Sequence, residues 1–148
     1  MVRARDLAVD MPTVTLSTPA LEASRLLADQ NLPGLIVLDE QRRPRTVLPG
    51  TQVLRLAVPR YCQDDPALAR VVDEEHADLF LRALDAKTVR ELLPEQPREL
   101  PVVDPDATVL EVAAVMARMR SPLVAVVADG RMIGAITLDS LLDRMLAR

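Results

Sequence analysis

The chain carries one sequence pattern twice, and this internal repeat limits its possible folds more than any other feature. Residues 21–23 and the apolar run 33–38 return as residues 110–112 and the apolar run 122–127, each at the same offset from its counterpart. Both copies continue through a polar turn into a second apolar strand and a short helix. The repeated unit is therefore an α/β unit of about 55 to 60 residues, too large for a solenoid repeat. Because a lone unit of that size buries only about 60% of its unfolded surface, we expect the two copies to share one core.

The composition is that of a globular protein without a nucleic-acid surface. Of the 148 residues, 49% are apolar and 27% are charged, which is typical of a packed domain. The net charge of −4, with one Tyr, one Phe and no Trp, offers neither a basic field nor stacking platforms for nucleic acid. The longest apolar run, 123–128, is far shorter than the ~20 residues that span a bilayer, and the first residues lack a signal-peptide core. We expect a cytoplasmic protein that contacts neither nucleic acid nor membrane.

The second copy contains clear local signals for its helices and strands. Thr108 and Glu111 have the spacing of a capping box, which predicts a helix start. After Pro122, residues 123–127 form an entirely apolar strand, as expected for a strand covered on both faces. Asp129-Gly130 predicts a hairpin turn, with 132–137 as the returning strand. The closing helix, 139–147, is expected to turn four apolar side chains inward: Leu141, Leu142, Met145 and Leu146.

The first copy follows the same order. Thr18 before Pro19 fits an N-cap with proline at the first helical position. The predicted elements are a helix over 19–30, strands over 35–38 and 46–48, and a helix over 51–57. Each copy is preceded by a short strand, 14–16 in the first copy and 100–103 in the second. Each copy also has a preceding helical turn that ends in an acid-leucine pair, Asp6-Leu7 in the first copy and Glu91-Leu92 in the second.

Residues 59–86 have no counterpart in the other copy and are predicted to be a helical insertion, with helices over 66–72 and 75–84. They contain the only Cys and the only His of the chain, Cys62 and His76. No third group completes a catalytic set, so a buried thiol and a helix-edge histidine are expected. The acidic residues of the insertion lack a recognised metal-ligand spacing and are interpreted as a solvated helix face: Asp64, Asp65, Asp73, Glu74, Glu75 and Asp78.

The second copy resembles the second half of a cystathionine-β-synthase (CBS) domain, on residues 122–127, Asp129-Gly130 and 133–142. The first copy resembles a divergent version of the same domain. The resemblance implies an α/β (α+β) fold of two βαββα CBS repeats packed about a pseudo-twofold axis, a pair often called a Bateman module. The implied domains are repeat 1 over 1–58, the helical insertion over 59–86 and repeat 2 over 87–148.

The family's ligand signature is Gly, two apolar residues, Thr or Ser, two further residues, then Asp. Gly134, Thr137 and Ser140 occupy these positions. The resemblance implies that Gly134 permits close backbone approach, that Thr137 contacts phosphate, and that the last position holds ribose hydroxyls. Ser140 lacks the carboxylate expected there, and Asp139 stands one place early, so its side chain points about 100° round the helix.

The same residues have a physical reason to bind an anion, and a simpler alternative. Thr137 and Ser140 lie at the start of a helix, where free amide groups and the helix dipole favour a phosphate. The alternative is that Thr137 or Asp139 only caps the helix. The predicted ligand-binding set is completed by four residues that border or open the strands framing the site: Pro122, Leu123, Arg120 and Arg131.

In the first copy every signature position is changed. Thr46 replaces the glycine, Pro49 the hydroxyl and Gln52 the acid. Because Pro49 offers neither a hydroxyl nor an amide hydrogen, we expect the nucleotide site of this copy to be lost.

Together these features predict a regulatory protein and not an enzyme, since no convergent set of titratable groups is evident. It would bind an adenosine-containing ligand (AMP, ADP, ATP or S-adenosylmethionine) in the crevice of repeat 2 and signal by reorienting its two halves. No cofactor or metal is required, and a homodimer is expected. The alternative is a structural or partner-docking protein that has lost its ligand and binds an unidentified protein partner.

Overall fold

Helices and strands alternate along the chain in the order that the repeat predicts. The computed structural model describes residues 1–58, 60–71 and 81–147. The elements are α1 (Ala4–Leu7), β1 (Thr13–Thr15), α2 (Ala20–Asp29), β2 (Gly34–Leu38), β3 (Pro44–Pro49), α3 (Gly50–Ala57), α4 (Arg60–Asp64), a 3-10 helix (Pro66–Val71), α5 (Val89–Leu92), β4 (Val102–Val103), α6 (Val109–Met119), β5 (Leu123–Ala128), β6 (Arg131–Thr137) and α7 (Leu138–Leu146).

The strands form two three-stranded sheets, with orders β1-β2-β3 and β4-β5-β6, so the predicted mixed α/β class is confirmed. In the second sheet β4 runs parallel to β5, and β5 pairs antiparallel with β6. Asp129 and Gly130 connect β5 to β6 with φ of 53° and 78°. Both residues therefore have the left-handed conformation that a two-residue hairpin turn requires, and the turn predicted at Asp129-Gly130 is confirmed.

The chain divides into two compact units that do not follow the order of the sequence. Unit 1 comprises residues 1–13, 36–47 and 98–148, and unit 2 comprises residues 14–35 and 48–97. Each unit thus takes segments from both copies of the repeat. The domain boundaries 1–58, 59–86 and 87–148 stay a prediction.

Strand β5 is the centre of the unit 1 core. Four consecutive side chains, Leu123 to Val126, are completely buried, which confirms that both faces of this apolar strand are covered. Because successive side chains of a strand point to opposite faces, they enter two different clusters. Val124 and Val126 pack with Ala4, Val103, Ala107, Val112, Met116, Ile136 and Leu141. Leu123 and Ala125 pack with Ile36, Leu38, Val47, Leu100 and Ala135.

The two helical turns that precede the repeats have the predicted form. In α5 the Thr88 and Glu91 side chains make a capping box, and Val89 and Leu92 are buried.

The predicted cap of α2 is wrong by one residue, because Pro19 and not Thr18 is the N-cap. The Thr18 hydroxyl instead accepts a hydrogen bond from the backbone N–H of Thr15 at 3.0 Å, which closes the turn before the helix.

The prediction that α7 turns four apolar side chains inward is wrong for three of them. Leu141 is 2% exposed, whereas the exposed fractions of Leu142, Met145 and Leu146 are 43%, 48% and 76%. The apolar residues of this helix form an arc that is wider than the part that packs on unit 1. Leu141 lies at the edge of that arc and reaches the core cluster.

The insertion is helical where the structure describes it. Residues 60–64 form an α-helix, the predicted helix over 66–72 is a 3-10 helix over Pro66–Val71, and residues 81–85 are helical. Most of the predicted helix over 75–84 lies outside the described residues, as do His76 and the acidic residues 73–75 and 78. Within residues 1–58, 60–71 and 81–147, no helix has both the length and the apolar character needed to cross a membrane.

Candidate ligand-binding site

The signature hydroxyls lie at the junction of β6 and α7, where they bond to each other. Thr137 is the N-cap of α7, and its Oγ1 accepts a hydrogen bond from the Ser140 backbone N–H at 3.1 Å. The same hydroxyl donates to Ser140 Oγ at 3.0 Å. The neighbouring amide of Leu138 donates to the Pro122 carbonyl at 3.0 Å. The helix start is therefore capped from within, as the alternative interpretation of Thr137 predicted.

This cap gives a stability prediction. Replacing Thr137 with alanine leaves the Ser140 amide without its acceptor, so we expect the free energy of unfolding to fall by about 0.5 to 2 kcal/mol. Thr137→Ser keeps the hydroxyl and should recover most of the loss. Urea denaturation of the three proteins measures the difference, and equal stability of the alanine and serine variants would contradict the capping role.

Gly134 makes room for the N-terminal segment of unit 1. A Cβ at this position would lie 2.9 Å from the Ala8 Cβ and 3.1 Å from the Val9 carbonyl oxygen. Val9 and Ala135 exchange two backbone hydrogen bonds of 2.9 and 3.0 Å, which hold the segment against β6. The close approach that the resemblance implied for Gly134 is thus made by the protein's own backbone.

In the first copy the residue at the glycine position bonds the equivalent segment instead. Thr46 is 5% exposed, and its Oγ1 donates to the Arg98 carbonyl oxygen at 2.6 Å. Arg98 lies at the same repeat offset from Val9 as Leu110 from Leu21. A small cavity of about 180 Å³ adjoins this contact, lined by Val47, Arg98, Glu99, Met119 and Ser121. Pro49, at the hydroxyl position, is an N-cap without a side-chain hydrogen bond.

A larger cavity in unit 1 brings two of the predicted ligand-binding residues together. Its volume is about 570 Å³, and it is lined by Asp10, Met11, Thr13, Leu38, Gln41, Arg42, Arg131, Met132, Ile133 and Gly134. Gly134 and Arg131 belong to the predicted set. Asp10 and Arg42, which also line it, were not predicted.

The other predicted residues do not line this cavity. Thr137, Asp139 and Ser140 lie at the far end of β6 and in the first turn of α7, and Asp139 is exposed. Leu123 is completely buried in the core, and Pro122 is half-buried beside it. Arg120 is exposed after α6 in a left-handed conformation, with φ of 51°.

The Cys62 thiol of the insertion is buried. In the described ranges no three His, Cys, Asp or Glu side chains form a group that could hold a metal ion.

The turn that carries Arg42 is organised by Asp39. Asp39 Oδ1 accepts hydrogen bonds from the backbone N–H groups of Gln41 and Arg43, both at 2.9 Å, and Oδ2 lies 3.4 Å from Arg43 Nε. These hydrogen bonds hold the pKa of the Asp39 carboxyl below its ordinary value of 3.8, and the bond from the Arg43 backbone N–H has the largest effect. Arg42 itself has φ of 64°, the left-handed conformation, and lines the 570 Å³ cavity.

The lowered pKa of Asp39 predicts the pH dependence of this turn. Because the carboxylate is favoured in the folded state, its contribution to stability should be present above the ordinary pKa and lost as the pH falls through the lowered value. Asp39→Asn removes the titration, so the stability difference between wild type and variant should vanish in acid. Carboxyl NMR titration and urea denaturation at several pH values check both statements. A measured pKa at or above 3.8 would contradict them.

Comparison with known proteins decides the family. The family model described as "CBS domain" matches residues 89–147 of this chain. A crystal structure of a CBS domain-containing protein of unknown function from Kribbella flavida is 54% identical, with 99% of this chain and 100% of that chain covered and a TM-score of 0.91. This chain belongs to the CBS-domain family. The search of curated proteins found no match to this chain.

More distant CBS-domain structures share the fold. The CBS domain of a membrane protein from Sphaerobacter thermophilus is 20% identical, with 100% of this chain and 90% of that chain covered and a TM-score of 0.73. CBSX2, solved in complex with AMP, is 20% identical, with 99% and 97% covered and a TM-score of 0.68. At these identities the likeness concerns the fold alone.

Proposed function

We propose that this CBS-domain protein is a regulatory module, without catalytic activity, that binds an adenosine-containing nucleotide in the cavity lined by Gly134 and Arg131. The observation that carries the proposal is the cavity itself, whose volume of about 570 Å³ lies within the range of about 300 to 1,000 Å³ that small-molecule sites occupy. Its lining combines apolar side chains (Met11, Leu38, Met132 and Ile133) with charged ones (Asp10, Arg42 and Arg131), which suits a ligand that has both a base and phosphates. The AMP complex of CBSX2 supports the ligand class by analogy.

A ligand screen with matched arginine variants tests the proposal. Thermal-shift measurements and calorimetry would cover AMP, ADP, ATP, S-adenosylmethionine, NAD and guanine nucleotides. A nucleotide present at 100 times its dissociation constant should stabilise the fold by about 2.7 kcal/mol. Arg131→Gln should weaken binding, whereas Arg118→Gln, which removes an exposed arginine of α6 outside the cavity lining, should not. Binding that survives Arg131→Gln unchanged would contradict the location.

The partner-docking alternative is favoured by a different observation. Thr137 and Ser140 bond to each other, so the helix start that would receive a phosphate is already capped. A chain that has lost nucleotide binding would show this arrangement. If no ligand of the screen stabilises the wild-type protein, the docking function is the one supported.

The homodimer is proposed on the exposed apolar face of α7. Leu138, Leu142 and Met145 are each at least 43% exposed and lie at successive turns on one side of the helix, where a second copy would cover them. Light scattering should give a mass near twice 16.3 kDa. Leu142→Glu should shift the protein towards the monomer, and Leu81→Glu, at an apolar residue of the insertion that is 51% exposed, should not. A monomeric wild type would contradict the dimer.

The reorientation of the two halves on ligand binding and the cytoplasmic location stay predictions.

A further inference from the structure

Among residues 1–58, 60–71 and 81–147, Asp10 is the only acidic one that lines the 570 Å³ cavity. The family signature places an acid at the position of Ser140 for the ribose hydroxyls, and this chain has none there. The Ser140 hydroxyl accepts a hydrogen bond from Thr137 and does not line the cavity. A carboxylate that meets a ligand in this cavity therefore comes from Asp10 and not from the signature.

The backbone around Asp10 is fixed beside Gly134. Val9, the preceding residue, exchanges its two backbone hydrogen bonds with Ala135, and Ala8 packs against Gly134. Asp10 is therefore the first residue after this short antiparallel pairing and lies at the edge of the cavity. A side chain on a backbone held in this way loses less conformational entropy on binding than one on a free terminus.

Two arginines complete the charged lining. Arg42 comes from the turn between β2 and β3, and Arg131 is the first residue of β6. Within the ranges that the structure describes, neither arginine forms an ion pair, and Asp10 does not either. One carboxylate and two guanidinium groups thus line one cavity without neutralising each other. This set suits a ligand that carries both hydroxyl donors and more than one negative charge.

The remaining walls suit a purine base. Met11, Met132 and Ile133 line the cavity together with Leu38. Ile133 is 51% exposed in the free protein, so a base packed against it would bury apolar surface. Base, ribose and phosphate therefore each have chemically matching groups in the same cavity.

We propose that the Asp10 carboxylate accepts hydrogen bonds from the ribose hydroxyls of a nucleotide bound in this cavity, and that Arg42 and Arg131 bind its phosphates. This assignment rests on the proposed function, because it names groups for the same ligand in the same cavity. It predicts that the site distinguishes ribose from its deoxy forms and nucleotides from nucleosides.

The ribose assignment is tested by calorimetry with ATP and 2′,3′-dideoxy-ATP. Hydrogen bonds to a charged group contribute about 1.5 to 3 kcal/mol, so the wild-type protein should bind ATP about 10- to 100-fold more tightly than the dideoxy compound. In Asp10→Asn this ratio should fall towards one, chiefly through weaker binding of ATP. Asp129→Asn is the matched control: it also removes one exposed carboxylate near Arg131, but outside the cavity lining, and should keep the ratio.

The phosphate assignment is tested with ATP and adenosine on the same proteins. Arg42→Gln should reduce the preference for ATP over adenosine about tenfold or more, whereas Arg45→Gln, at an exposed residue of β3, should leave it unchanged. The test of Asp10 does not depend on any variant folding, because equal binding of ATP and dideoxy-ATP by the wild-type protein would already overturn it.

The outcomes separate this inference from the proposed function. If the wild-type protein binds no nucleotide, the proposed function fails and the assignments fail with it. If it binds ATP with a ribose preference that Asp10→Asn leaves intact, the proposed function stands and the role of Asp10 is overturned. If Arg42→Gln leaves the preference for ATP over adenosine unchanged, the role of Arg42 is overturned.

Discussion

Replacing Leu123 with alanine should lower the free energy of unfolding by about 2 to 5 kcal/mol. Leu123 opens β5, is completely buried and packs in the cluster that includes Ile36, Val47 and Ala135. Truncation removes its transfer free energy and leaves a cavity, because neighbours held in two strands relax only partly. Urea denaturation measures the loss.

Leu142→Ala is the matched control for this substitution. It removes the same atoms from a side chain of α7 that is 43% exposed, so in the monomer we expect a change of about 0.5 kcal/mol or less. Equal effects of the two substitutions would contradict the assignment of Leu123 to the core.

Gly134→Ala should destabilise the fold by about 1 to 3 kcal/mol and weaken nucleotide binding at the same time. The added Cβ would lie 2.9 Å from the Ala8 Cβ and 3.1 Å from the Val9 carbonyl oxygen. Relief requires the N-terminal segment to move away from β6, which stretches its hydrogen bonds to Ala135 and shifts Asp10. Gly134→Val should have a larger effect in the same direction.

Gly50→Ala is the control for the effect of removing a glycine. A Cβ at Gly50 would have no neighbour closer than 3.9 Å, and Gly50 is the first residue of α3, so alanine should be neutral or stabilising by about 0.4 to 1 kcal/mol. Hydrogen exchange of the Val9 and Ala135 amides gives a local measurement, with faster exchange expected only in Gly134→Ala. If exchange and stability are unchanged in that variant, the N-terminal segment does not pack on Gly134 as described.

Features that depend on local chemistry could be predicted from the sequence. An unbroken apolar run such as 123–126 forms a strand covered on both faces, because no polar side chain in it needs water. Asp129-Gly130 specifies its turn, since both residues tolerate a positive φ. The Thr108 hydroxyl caps α6 by accepting a hydrogen bond from the Glu111 backbone N–H at 3.1 Å, which is one half of the predicted capping box and confirms the predicted helix start.

Features that depend on tertiary packing could not be predicted in this way. The apolar pattern of α7 shows which side of the helix avoids water, but not how much of that side the same chain covers. Leu141 packs while Leu142 and Met145 stay exposed, because the core ends at the edge of the helix. The remaining apolar surface is the one proposed above as the homodimer interface.

Only part of the candidate site could be predicted, because its other residues are brought together by tertiary packing. Gly134 and Thr137 are three residues apart in a strand, a separation of about 10 Å, so one signature reaches both the cavity and the helix cap. Nothing local indicates that residues 8–10 lie along β6, and Asp10 was therefore missed. Arg42 lies in the turn between β2 and β3, and no local signal of the sequence shows that this turn borders the same cavity as β6.

Methyl NMR of the methionine side chains, during a titration with ATP, tests the nucleotide site most directly. Of the six methionines, Met11 and Met132 line the 570 Å³ cavity, Met119 lines the 180 Å³ cavity, and Met116 lies in the core. We expect the Met11 and Met132 resonances to shift with a common dissociation constant, while that of Met116 stays in place. Shifts confined to Met119, or no shift at saturating ATP, would contradict the account.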